Sequence, residues 1–333
     1  MKPLLTLSCA LLLLAGLSCA PSGADGPAAG RAPPPRPRSP LDYPLALRAG
    51  TWTVFAGRYG DPRWTGVISH PAGLAFDREG NLLVADAVNN RIHQLSPQGE
   101  LLARWGGTGQ APGQFSGPSG LAVDAQGNVY VADTLNHRVQ KLAPDGEPLA
   151  VWGRPGSAPG EFQHPYGLAL DREGNLYVTD TRNHRVQKLA ADGQPLAQWG
   201  TRGDRPGQFN LPHGIALDAQ GNLYVVDESN SRIVKLAPSG QVLAVWGGYG
   251  EDLGELSYPR GIALDAAGNL YVADSWNNRV QIFTSAGQPY AALGTRGAGL
   301  GQFQRPESLA FDAAGNLYVG DGSSRVQRLT PAW

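Results

Sequence analysis

The 333-residue sequence predicts an all-β fold, six four-stranded antiparallel sheets stacked around a ring, on three observations. Glycine (45) and proline (27) are abundant while charged residues make up only 17%, which disfavours a helical protein and sets turns at short intervals. Pro71, Pro118, Pro165, Pro212, Pro259 and Pro306 are spaced by 47 residues throughout, as are Asp86, Asp133, Asp180, Asp227, Asp274 and Asp321. Within each copy the apolar runs are four to six residues long, rich in Val, Leu, Ile and Tyr, and bounded by Gly-Asn, Asp-Gly or Pro-Gly. That is strand and hairpin patterning, and no window carries a helical period.

In chain order, Met1-Lys2 is a short positive start, and the apolar run Leu4 to Leu17 is too short for a membrane span, so residues 1–20 are expected to be a secretory signal. Gly16-Leu17-Ser18-Cys19-Ala20 resembles the lipobox of bacterial lipoproteins, with Gly16 where that motif prefers leucine. The resemblance implies lipidation of Cys19 and an exported chain anchored in the bacterial cell envelope, on the periplasmic side or the outer surface. Cleavage after Ala20, giving a secreted chain, is the competing reading. Residues 21–50 form a linker: Pro21 to Pro40 contains seven prolines and three glycines, and such a segment extends as a semi-rigid spacer. The two cysteines stand at 9 and 19, so disulfides, thiolate zinc sites and cysteine nucleophiles are excluded from everything after them.

Residues 51–333 hold the repeats as one domain. The copies follow the pattern Pro-x-Gly-Leu/Ile-Ala-x-Asp, Gly-Asn-Leu-Tyr-Val-x-Asp, Asn-x-Arg-Val-Gln-x-Leu, and a stretch ending in Trp-Gly, which the third, from Pro165, matches throughout. In the third copy Gly174-Asn175 and Asp192-Gly193 supply hairpin turns, and Leu176-Tyr177-Val178 is apolar on consecutive residues, which requires cover on both sheet faces. Radial stacking of such sheets is the six-bladed β-propeller solution. The last copy stops after its third strand, and Trp52-Thr53-Val54-Phe55-Ala56-Gly57 stands before the first repeat, so this N-terminal strand is expected to complete the sixth blade. Asn136-His137-Arg138-Val139-Gln140-Lys141 and Asn183-His184-Arg185-Val186-Gln187-Lys188, with the Pro-x-Gly and Gly-Asn-Leu-Tyr-Val-x-Asp segments, resemble the NHL repeat. That resemblance covers about residues 51–333 and implies six blades.

A residue type present in every blade meets a need present in every blade. The pairs Asp86 and Arg91, Asp133 and Arg138, Asp180 and Arg185, Asp227 and Arg232, and Asp274 and Arg279 share a five-residue spacing and are expected to hold the loop between second and third strands. In the sixth copy Asp321 and Arg325 are four apart and Gly322-Ser323-Ser324 replaces the longer loop, so the rim there is expected to be lower. Trp105, Trp152, Trp199 and Trp246 are expected to pack between blades. The glycines before Gln114-Phe115, Glu161-Phe162, Gln208-Phe209 and Gln302-Phe303 mark blade crossings, with no following helix that would make them a phosphate cradle.

Function belongs where the copies disagree. The residue after the repeated Pro, at the channel mouth, is Ala72, Ser119, Tyr166, His213, Arg260 and Glu307 in order; the second residue after the repeated Asp is Val88, Leu135, Arg182, Ser229 and Trp276. Tyr166, His213, Arg260, Glu307, Arg182 and Trp276 are therefore the candidate ligand-binding residues, for a protein, peptide or glycan partner in the cell envelope. No catalytic residue, metal or cofactor is assigned. The alternative is an exported hydrolase or lyase at the same mouth: the family resemblance implies comparison with amidating lyases, which hold zinc with three histidines, and with calcium-dependent lactonases. Here only His213 is placed at the mouth among histidines, with Glu307 the one acid. From Leu41 onward 23 basic and 27 acidic side chains leave no basic field for nucleic acid, so no nucleic-acid partner is expected.

Overall fold

The computed structural model describes residues 50–57 and 68–332; the signal segment, Cys19 and the proline-rich linker lie outside the described residues. The described chain is all β apart from short turns, in six four-stranded antiparallel blades. The third blade is representative: Pro165–Leu170, Leu176–Asp180, Arg185–Leu189 and Pro195–Trp199 pair in that order, from the channel outward. The innermost strands of the other blades are Pro71–Phe76, Pro118–Val123, Pro212–Leu217, Ile262–Leu264 and Pro306–Phe311. Each touches the next, and the sixth touches the first, so the blades close a ring.

The second strand of every blade is buried at each of its five positions, because both of its faces meet a neighbouring blade. The apolar core is accordingly divided into six clusters, one at each blade interface. Tyr130, Tyr177, Tyr224, Tyr271 and Tyr318 are the large side chains repeated in them. Phe115, Phe162, Phe209 and Phe303, from the crossing segments, are fully buried; Leu256 takes their place in the fifth blade.

The recurring tryptophans pack between blades. Trp105 lies against the Gly146 turn of the second blade, Trp152 against Gly193, Trp199 against Gly240 and Trp246 against Gly287. These glycines sit at φ of +80° to +91°, and a Cβ on any of them would overlap the indole of the preceding blade. Thr51–Ala56 pairs antiparallel with Arg325–Thr330, the third strand of the sixth blade, and Phe55 stands at Gly99 where four other blades use tryptophan; the fifth has Leu293.

The Pro-x-Gly motif has a steric origin. Adjacent inner strands approach so closely that a Cβ on Gly167 would overlap the carbonyl oxygen of His213, and a Cβ on Gly214 that of Arg260. The sixth blade departs from this motif: Ser308 stands in place of the glycine, its hydroxyl donates to the Pro71 carbonyl at 2.6 Å, and Gly320 opposite leaves room for it.

Candidate functional site

Repeated polar residues form a scaffold. Asp180 accepts hydrogen bonds from the Gln163 backbone N–H (2.6 Å), Asn183 (2.8 Å), Arg185 Nε (2.8 Å) and Gln187 (3.1 Å). Arg185 then donates to the carbonyls of Ser157, Ala158 and Glu161, tying the blade crossing to the loop between second and third strands. Asp133–Arg138, Asp227–Arg232 and Asp274–Arg279 make the same pair at 2.7–2.8 Å. Burial pushes the Asp180 and Asp227 carboxyls above the ordinary carboxylate range, against the hydrogen bonds that favour ionisation.

The first blade corrects the expected pattern, for Asp86 and Arg91 do not pair. His93 occupies the register position of Gln140, Gln187 and Gln281 and brings Nε2 to 3.1 Å from Asp86 Oδ2, while Arg91 Nε turns back to the Asn89 carbonyl. The Asp321–Arg325 contact in the sixth blade is long, at 3.5 Å, because the shortened loop changes the approach.

His137 and His184 are also scaffold. Each sits in the left-handed region, and its Nδ1 accepts the backbone N–H of the next blade's entry residue, His164 or Leu211, at 3.2 Å. Asn90, Ser231 and Asn278 do the same for Gly117, Tyr258 and Arg305, so any residue with an acceptor at this reach suffices.

At the mouth the variable residues form one connected cluster. Arg260 bridges two buried carboxylates, Glu228 through Nε at 3.2 Å and Glu307 through Nη1. His213 Nδ1 lies 3.3 Å from Glu228, and its ring stands 4.4 Å from the Tyr166 ring. His70 Nε2 reaches Glu307 at 2.5 Å. Burial opposes ionisation of Glu307, but His70 and Arg260 outweigh it and hold its carboxyl below the ordinary range; Glu228 is held down likewise by His213 and Arg260. The Glu307 carboxylate raises the His70 imidazole above its ordinary value, and burial pushes the Tyr166 phenol far up, so it stays a neutral hydroxyl. The channel beneath holds only about 70 Å³ of space, lined by inner-strand backbone, Tyr166, Arg260 and Glu307.

Beside the cluster, at the shortened loop of the sixth blade, opens a cleft of about 760 Å³ that shares His70 and Glu307 with it and is walled by Trp276, Asn278, Arg296, Gln304 and Arg305. Gly322 is among its lining residues, at the position after the repeated Asp where other blades carry a side chain, as in Thr134, Thr181 and Glu228. Trp276 is 54% exposed, with Tyr258 against it at 5.1 Å and the Arg305 guanidinium 5.0 Å over its ring.

Of the six candidate residues, Tyr166, His213, Arg260 and Glu307 meet at the mouth, and Trp276 lines the adjoining cleft. Arg182 does not join them: it is exposed over a separate groove with His184 and Arg202, between the third and fourth blades. Two mouth residues escaped sequence reasoning. Glu228 follows the repeated Asp, where Thr134, Thr181 and Ser275 instead donate to a neighbouring inner-strand carbonyl at 2.6–2.8 Å; that break in a hydroxyl series was its signal. His70 precedes the repeat proline, in a variable series with Gly117, His164, Leu211, Tyr258 and Arg305, five of which have positive φ and face the rim. The mouth thus holds two acids and two histidines rather than one of each. Among the described residues no group of three or more His, Cys, Asp or Glu is placed to hold a metal ion.

A closed ring of six four-stranded blades around a channel defines a β-propeller. The chain belongs to the NHL-repeat propellers: the NHL repeat model matches residues 69–95, 115–142, 162–189, 209–236 and 256–283. No curated protein sequence matches it. Among solved structures it is similar to a streptogramin B lyase, at 17% identity over 85% of this chain and 98% of that one, TM-score 0.60. It is also similar to a gluconolactonase from Xanthomonas campestris (19%, 85% and 89%, TM-score 0.63) and to a chain of the nidogen/laminin complex (25%, 66% and 78%, TM-score 0.52). The first two likenesses are of fold alone.

Proposed function

We propose that this chain is an exported recognition propeller, tethered to the cell envelope through lipidated Cys19 and the proline-rich linker, that binds an envelope partner on the channel-mouth face without catalysis. The observation that carries this reading is the cleft beside the shortened sixth-blade loop, open, polar and lined in part by Gly322, next to a cluster whose charges pair with one another. Arg260 bridges Glu228 and Glu307, and His70 meets Glu307, so these groups engage one another at the mouth. The half-exposed Trp276 and the cations of the cleft are the groups left to meet a ligand.

Pulldown from the envelope fraction with the purified full chain tests this. Trp276→Ala and Arg305→Ala are expected to abolish capture while leaving the melting temperature within about 2 °C, since both are exposed and away from the core. Capture that survives both substitutions overturns the reading. The anchor has its own measurement: Cys19→Ser is expected to move the protein from the membrane to the soluble fraction, and retained membrane association overturns lipidation there.

A second reading, an exported hydrolase or lyase, is favoured by His213 and Tyr166 in ring contact beside the Glu228 carboxylate. Turnover of streptogramin or aldonolactone substrates that His213→Ala abolishes would establish it over the first.

A further inference from the structure

We propose that the cleft over the sixth blade binds an acidic glycan, taking a uronate carboxylate between Arg296 and Arg305 with the sugar ring against Trp276. This deepens the recognition reading and rests on it. Three observations point to that chemistry.

The first is charge. Arg296 and Arg305 line the cleft, are exposed, and make no ion pair among the described residues. The acid in the same wall, Glu307, is already held by Arg260 and His70, and His70 itself faces the cleft with Glu307, Arg260 and Asp86 around it. The cleft is therefore cationic, and guanidinium groups match a carboxylate in geometry as well as in charge.

The second is the aromatic surface. Arg305 is held over the Trp276 ring, and its backbone N–H donates to Asn278 Oδ1 at 3.1 Å, so the guanidinium is positioned before any ligand arrives. An indole beside fixed cations and the Gln304 amide offers an apolar face and a hydrogen-bonding edge together, which is what an acidic sugar presents in return, while the Asn278 amide holds Arg305 and the Trp276 carbonyl.

The third is the backbone. A peptide docking by strand addition needs a run of unpaired main-chain N–H groups, but three along the cleft walls are used: Gly322 N–H donates to the Gln304 carbonyl at 2.7 Å, Gly297 N–H to the Phe303 carbonyl at 3.1 Å, and Arg305 N–H to Asn278 Oδ1. Side chains must do the recognising, which favours a glycan over an extended peptide.

Isothermal titration of the full chain with tetragalacturonate, neutral cellotetraose and tetra-aspartate tests the proposal. Tetragalacturonate is expected to bind, to weaken as salt is raised, and to weaken about tenfold in Arg305→Gln and again in Arg296→Gln, the loss expected for one charge-assisted contact each. Trp276→Ala is expected to remove binding. Cellotetraose binding equally well, tetra-aspartate binding more tightly, or none of the three binding overturns the acidic-glycan assignment. If that assignment fails while Trp276→Ala still abolishes partner capture, the recognition site stands with another ligand. If capture also survives, both fall.

Discussion

In-frame deletion of residues 51–57 is expected to lower the melting temperature by about 5–15 °C, the consequence of losing one buried aromatic side chain and its packing, roughly 3–5 kcal/mol, from a domain of this size. Thr51–Ala56 supplies the outer strand of the sixth blade, with Phe55 and Ala56 buried at the interface between the last blade and the first. Phe55 packs edge-on to Tyr318 at 4.9 Å and covers the Gly99 turn, so its removal exposes the seam where the ring closes. Arg325–Thr330 would become an open edge available for pairing with another chain. Differential scanning calorimetry and light scattering measure both effects; an unchanged midpoint would refute the closure.

The second large effect is at Arg260. Replacing it by alanine leaves the carboxylates of Glu228 and Glu307, with side chains 8% and 5% exposed, without their shared cation, and is expected to destabilise the domain by about 3 kcal/mol. The pH dependence separates this from loss of packing. In the wild type, Glu228 and Glu307 are held below the ordinary value of 4.5, so their ion pairs stabilise the fold above that value and are lost as the pH falls through the folded values. His70 is raised above 6.5, so its contribution is complete below that value and is lost as the pH rises through the folded one. The cluster is thus most stabilising between about 4.5 and 6.5, and the deficit of Arg260→Ala is expected to narrow toward acid pH, where its orphaned carboxylates take up protons. Chemical denaturation of both proteins across pH measures this, and a deficit independent of pH would show that Arg260 acts through packing alone. The same coupling makes Arg260 a poor probe of ligand binding, and the exposed Trp276 and Arg305 the better ones.

Nearly all of the architecture is legible in the sequence, for a physical reason. In a repeat protein each unit meets the same neighbours, so every structural need is written six times over and stands out by its period. The 47-residue spacing of Pro71 to Pro306, the Asp-Gly turns and the consecutive apolar run at Leu176-Tyr177-Val178 specify four-stranded blades stacked face to face. The Asp180–Arg185 staple and the inter-blade tryptophans follow from the same logic. So does the direction of the Pro-x-Gly residues toward the mouth.

What the tertiary structure alone decides is which of the varying positions meet. A residue that departs from the repeat has no periodic signal, and its partners lie on other blades, 32 residues away for Arg260 and Glu228 and 47 for Arg260 and Glu307. Glu228 and His70 enter the mouth because the chain carries them around the ring to one rim, whereas Arg182 is turned out over a different groove. The displacement of Arg91 by His93 has the same origin, one imidazole competing locally for a carboxylate that four other blades give to arginine. Sequence repetition determines the ring, because uniform contacts need uniform residues; closure of that ring in space decides the cleft, because it brings together single departures from the rule.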